Sequence, residues 1–208
     1  MRKIDRVAEL DFWEEYKKRH PGIRYGDLRN IEDGAEMIRI LRENLVISQK
    51  GLCAYCCCRI TPEKSQNEHI YPQSRYPEKS MEYSNIVAGC VCDGKAETCG
   101  TAKKNFYDEK MFVSPLQDDC ESHFSFSPSG EIFGNTEMGK YTIELLNLNA
   151  YSLRNARKAQ LKCAAAYQNE KDFTEVFFPA ASNDLEPFLD IVEYFYRNQY
   201  FRFENDNI

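Results

Sequence analysis

The chain has 208 residues, 42% hydrophobic and 13% aromatic, with only 10 Gly and 8 Pro, so it can bury a core and is not a disordered or low-complexity tract. Its formal net charge of −6 argues against a protein that grips a phosphate backbone unaided over a broad basic face. No stretch approaches the roughly eighteen apolar residues of a membrane span, and the charged start MRKIDRVAEL lacks a secretion signal's apolar run, so a cytoplasmic protein with no membrane partner is expected.

Residues 1–50 are expected to form an N-terminal helical region of two helices, separated by His20-Pro21-Gly22, where Pro and Gly stop the first helix. Asn30 is the expected cap of the second, in which Met37, Ile38, Leu41 and Leu45 recur at three- and four-residue spacing and face the segment that follows. From Leu52 the chain breaks into short pieces punctuated by Cys, Pro and Gly, ending in a polar stretch, Gly100 to Lys110, that reads as a helix. Residues 51–110 therefore suggest a small metal-organised core, strand–turn–strand then helix.

Residues 111–208 form the third expected region. Phe124 and Phe126 alternate with polar residues before the turn Pro128-Ser129-Gly130, which predicts a hairpin with His123 as a structural residue in its first strand. Two or three helices should follow. The one after Asn149 places Leu153, Ala156, Ala159 and Leu161 inward and Arg154, Arg157 and Lys158 on other faces. Further basic clusters, at Arg2, Lys3 and Arg6, at Lys17, Lys18 and Arg19, and at Lys103 and Lys104, read first as solvated faces. The last apolar run, IVEYFYRNQYFRF, reads as a core helix, with a partner-docking surface as the alternative.

Seven of the nine cysteines crowd between Cys53 and Cys99, with Cys120 and Cys163 apart. In a cytosolic chain such crowding favours metal thiolates over disulfides. Cys53-x-x-Cys56 can present two sulfurs to one ion from a single turn, and zinc held by four thiolates stabilises a module too small to fold by burial alone. The second pair is read as Cys90 and Cys99, with Cys92 as the substitute, because Cys90-Val91-Cys92 is too tight for the usual knuckle. Cys57 and Cys58 are expected to be spectators.

Between the pairs lie Asn67-Glu68-His69-Ile70-Tyr71-Pro72, then Asn85-Ile86-Val87, then Cys99-Gly100-Thr101-Ala102-Lys103. In that order these elements resemble the HNH endonuclease motif over roughly residues 52 to 105. The resemblance implies an α+β protein with a zinc-stabilised ββα-metal, treble-clef-like core, and phosphodiester hydrolysis assisted by Mg²⁺ or Mn²⁺. It implies His69 as the base that activates water, Glu68 as a ligand of the catalytic metal, Asn85 as the residue that orients the histidine loop, and Lys103 near the substrate phosphate. The alternation of a strand places Glu68 and His69 on opposite sides. One departure is plain. Where HNH proteins carry a further metal ligand after the last zinc cysteine, this chain has Gly100; Thr101, Asn105 or water would have to fill that place.

Beyond the motif, FVSPLQDDCESHFSF, Gly130-Glu131-Ile132 and YTIELLNLN with a basic helix after it resemble the PtuB family, the HNH subunits of Septu anti-phage systems, with relatives beside certain retrons. That resemblance implies a DNA or RNA substrate and a PtuA-like ABC/SMC-type ATPase partner, and in retron systems a reverse transcriptase with its nucleic acid. A non-catalytic zinc module is the rival reading, and Gly100 is its best support.

Overall fold

The computed structural model describes residues 1–5, 9–91, 96–180 and 184–203. Helix α1 (Asp11–Arg19) begins with Asp11 and Glu14 and ends with Lys17, Lys18 and Arg19, charges that complement its dipole. It buries Trp13, whose Nε1 donates to the Met81 carbonyl at 3.0 Å, and Tyr16, whose hydroxyl donates to Asp33 at 2.9 Å. The chain leaves the helix at His20 and turns through Gly22, at φ 81°. A 3₁₀ turn over Tyr25–Asn30 then precedes α2 (Gly34–Ser48), so Asn30 ends that turn instead of capping the helix.

Helix α2 buries Met37, Leu41 and Leu45 and packs against an antiparallel pair, β1 (Ser65–His69) and β2 (Ile86–Cys90). Their register sets Ser65 opposite Cys90, Glu68 opposite Val87 and His69 opposite Ile86. Just past α2, buried Gln49 fixes the helix to the sheet: its Nε2 donates to Leu52 O and Ala88 O, and its Oε1 accepts from Ala88 N–H at 2.7 Å. A short helix α3 (Cys99–Lys103) follows. The helix expected to reach Lys110 stops here because Lys104 adopts a left-handed φ of 50°.

The hairpin comprises β3 (Phe124–Phe126) and β4 (Ile132–Gly134), with Phe124 opposite Gly134. His123 sits in the turn just before β3, buried, its Nδ1 2.6 Å from Thr136 Oγ1. Among the described residues four helices follow, where two or three were expected: α4 (Glu137–Leu145), α5 (Tyr151–Ala164), α6 (Glu170–Phe177) and α7 (Leu189–Arg197). Arg157 of α5 is not on an outer face. It is 1% exposed, donating to the carbonyls of Gly130 at 2.9 Å and Leu148 at 2.6 Å, which ties the hairpin turn to the helix. Asn149 reinforces the joint with paired bonds to the Ile132 backbone. In α7, Ile191, Val192 and Phe195 are buried, so this part of the last apolar run is core. Among the described residues no helix is long and apolar enough to cross a membrane.

Candidate active site and metal centre

Cys53, Cys56, Cys90 and Cys99 converge from three pieces of chain, the loop after α2, the end of β2 and the start of α3, with all four sulfurs buried and within 4.8 Å of one another. Cys53 Sγ lies 3.9 Å from Cys99 Sγ, and Cys56 Sγ lies 3.8 Å from Cys90 Sγ. A zinc tetrahedron with bonds of about 2.3 Å has edges of about 3.8 Å. These two separations match that edge, and the cluster is compatible with a structural zinc. Burial disfavours a thiolate here, yet hydrogen bonds from Cys56, Cys58, Cys90 and Cys99 hold the Cys53 thiol well below the ordinary range. Cys58 is a half-buried fifth thiol beside the cluster, Cys57 is buried with φ 60°, and Cys92 lies outside the described residues. None of the eight described cysteines is in a disulfide.

Strand alternation sends Glu68 and His69 to opposite sides of β1. Glu68 runs towards α3, threaded between two glycines: a Cβ on Gly89 would come within 2.7 Å of its Cγ, and one on Gly100 within 1.9 to 2.3 Å of its carboxylate. The position that lacks a side chain is therefore filled by the Glu68 carboxylate. Gln66 Nε2 donates to it at 2.7 Å, and burial raises its pKa to about 7 despite the nearby Lys103 charge. Lys103, 1% exposed, is lowered by its own burial to about 8 and donates from Nζ to the His69 carbonyl at 2.8 Å. Thr101 is half-buried on α3, whereas Asn105 is exposed beyond the helix end. Tyr55 is wholly buried, and its hydroxyl, within electrostatic reach of Glu68, has no hydrogen-bond partner among the described residues.

On the other side, His69 is 5% exposed and packs edge-on to Tyr25 at 4.7 Å between centroids. Its Nε2 lies 2.9 Å from Ser80 O, and a carbonyl can only accept, so Nε2 carries the proton. Nδ1 is then the lone-pair nitrogen, receiving a hydrogen bond from Gln73 Nε2 at 3.1 Å. Burial lowers the pKa of His69 to about 4, assisted by the Lys103 charge and opposed by the Ser80 carbonyl, so the ring is neutral. Asn85, 1% exposed, clamps the loop after His69: its Oδ1 accepts from Tyr71 N–H at 2.7 Å and its Nδ2 donates to Lys79 O at 3.0 Å and Tyr71 O at 3.2 Å.

Gln73, Tyr55, Ser80 and Gly89 belong to no motif of the sequence. Only Gly89 left a trace, as a glycine inside the apolar strand IVAGC, which marks a close approach by another group.

The chain is 31% identical over 160 residues to the protein assigned as the HNH endonuclease of retron Vc95 from Vibrio cholerae serotype O1 biovar El Tor, a match covering 69% of this chain and 77% of that one. The chain belongs to the HNH endonuclease family. This HNH protein is also 26% identical over 210 residues to the corresponding protein of retron Ec83 from Escherichia coli, across 77% and 79% of the two chains. Septu protein PtuB from Bacillus thuringiensis shares 28% identity over 103 residues, 47% of the HNH chain and 36% of PtuB. No protein-family model matches the HNH chain.

Proposed function

We propose that this chain is a metal-dependent nuclease that cuts DNA or RNA phosphodiesters for an anti-phage system, in complex with an ABC/SMC-type ATPase. The observation that carries the reading is the neutral His69 and the glycine-flanked Glu68 carboxylate on adjacent residues of one strand, beside the four-sulfur cluster. The relatives named from retrons and Septu support the defence setting. Zinc would sit on Cys53, Cys56, Cys90 and Cys99 as the structural ion of a ββα-metal core over residues 51–110, between the helical regions 1–50 and 111–208.

Glu68 is the carboxylate that would hold Mg²⁺ or Mn²⁺, and among the described residues no second group of three or more Cys, His, Asp or Glu ligand atoms converges near it. One carboxylate suits Mg²⁺, which keeps several waters and takes substrate phosphate as a ligand. Bound there, such an ion supplies charge stabilisation for the phosphate and the departing oxygen.

His69 Nδ1 takes the proton of a water whose oxygen attacks phosphorus, while Ser80 O holds the ring through Nε2–H. The Gln73 amide must first swing off Nδ1. Lys103 fixes the strand end at the His69 carbonyl, and Asn85 fixes the loop beyond it, so both set the ring's position through the backbone. The departing oxygen recovers its proton from water.

The test is incubation of the chain, with its ATPase partner, with plasmid and with total RNA, with and without Mg²⁺ or Mn²⁺. His69→Ala should abolish cleavage and keep the zinc; undiminished cleavage refutes the assigned base. The burial of His69 and the engagement of both ring nitrogens favour a second reading, a zinc module that binds without cutting. Absence of cleavage by the wild-type complex with either cation supports that one.

A further inference from the structure

Helix α5, YSLRNARKAQLKCA, carries Arg154, Arg157, Lys158 and Lys162 and no acidic residue, in a chain whose net charge is −6. Arg157 is turned inward on the Gly130 and Leu148 carbonyls, and the other three are not. At about 100° per residue, Tyr151, Asn155, Lys158 and Lys162 fall within an arc of roughly 60°, a stripe about 16 Å long. All four are exposed, with Arg154 half-buried at the edge and its Nε without a hydrogen-bond partner among the described residues. Tyr151, at 74%, is the most exposed large apolar side chain among the described residues.

Several surface cations on other helices are neutralised locally, Lys18 by Glu14, Lys140 by Glu137, Arg197 by Glu121 and Glu193, whereas exposed Lys50, Lys64 and Lys110 lie singly on other segments without an ion pair among the described residues. Arg154, Lys158 and Lys162 have no such acidic partner among the described residues. The chain leading into α5 is also anchored to the segment that carries Cys99. The corner leading into α5 accepts the Cys99 N–H on the Leu146 carbonyl at 2.8 Å, and Asn147 Nδ2 donates to Glu97 O at 2.9 Å, so it is bonded to the start of α3.

We propose that the outer face of α5 is a second contact surface for the nucleic-acid substrate, on which Arg154, Lys158 and Lys162 meet successive phosphates and Tyr151 stacks on an unpaired base. The inference rests on the nuclease reading and adds how substrate reaches the site. Unpaired cations beside an exposed aromatic are the combination that binds single strands, stacking on base faces while the charges follow the backbone. A stripe of about 16 Å spans roughly five nucleotides of a helical strand.

The test is fluorescence anisotropy of the full chain with short labelled DNA and RNA, single-stranded and duplex, over a range of salt and without added divalent cation. Lys158→Gln/Lys162→Gln should flatten the slope of log affinity against log salt by about 1.4 for single strands and about 1.8 for duplex. Lys18→Gln/Lys171→Gln, which removes equal charge elsewhere, should leave the slope unchanged. Tyr151→Ala should weaken single-strand binding roughly tenfold and spare duplex.

Equal slopes for wild type and the α5 variant overturn the proposal, as does an equal loss in the control. A variant that binds the probes normally but no longer holds the ATPase partner also overturns it, and gives the face to a protein. The nuclease reading is judged separately by plasmid and RNA cleavage, so loss of the one leaves the other standing.

Discussion

Gly100→Ala separates the carboxylate's position from the fold. The new Cβ would stand 1.9 Å from Glu68 Cδ and 2.0 and 2.3 Å from its two oxygens, so the carboxylate must retreat by roughly 1 Å to reach even the closest contact that real Cβ atoms make. The displaced group is the free end of a flexible side chain, and its removal forfeits the Gln66 bond, worth about 1 kcal/mol. Alanine in place of helical glycine returns about 0.5–1 kcal/mol, so melting temperature and zinc content should scarcely change. Function should respond far more, since a misplacement of about 1 Å in a reacting group can cost about 100-fold in rate. The assays are thermal melting, zinc analysis, Mn²⁺ binding by calorimetry and cleavage. A Gly100→Ala variant with wild-type Mn²⁺ affinity and cleavage would show that the carboxylate is not needed where the glycine admits it.

Chelation should remove one zinc per chain and melt residues 51–110, because structural zinc in small modules contributes on the order of 10 kcal/mol; circular dichroism after chelator, compared with reductant alone, checks this, and an unchanged spectrum refutes the cluster. Asn85→Ala strands the Tyr71 N–H and the carbonyls of Tyr71 and Lys79 in a buried place. Its expected cost of roughly 2–4 kcal/mol should appear as a melting point about 5–15 °C lower, and a drop under about 2 °C would show that the loop has other support.

The Cys53-x-x-Cys56 spacing made half of the cluster legible, whereas the second pair, Cys90 and Cys99 with Cys92 as substitute, was narrowed only by the tightness of Cys90-Val91-Cys92. The three-four stripe of α2 was equally plain, because Met37, Leu41 and Leu45 bury against a sheet that needs cover. What stayed hidden depended on backbone geometry and distant partners. The end of α3 is set by the positive φ at Lys104, which a polar run does not announce. Arg157 read as a surface cation because its acceptors, the carbonyls of Gly130 and Leu148, lie on other elements. Gln73 and Ser80 were invisible for the same reason: their importance is a contact with His69, not a property of their own neighbourhood.

The carbonyl of Leu146 accepting the Cys99 amide has a consequence for modularity. A cysteine of the cluster is steadied from outside the span that carries the motif, by a corner more than forty residues downstream. Transplanting residues 52 to 105 into a foreign scaffold would leave that amide to solvent and let the knuckle drift, so a graft between relatives has to travel with the α4–α5 bend attached.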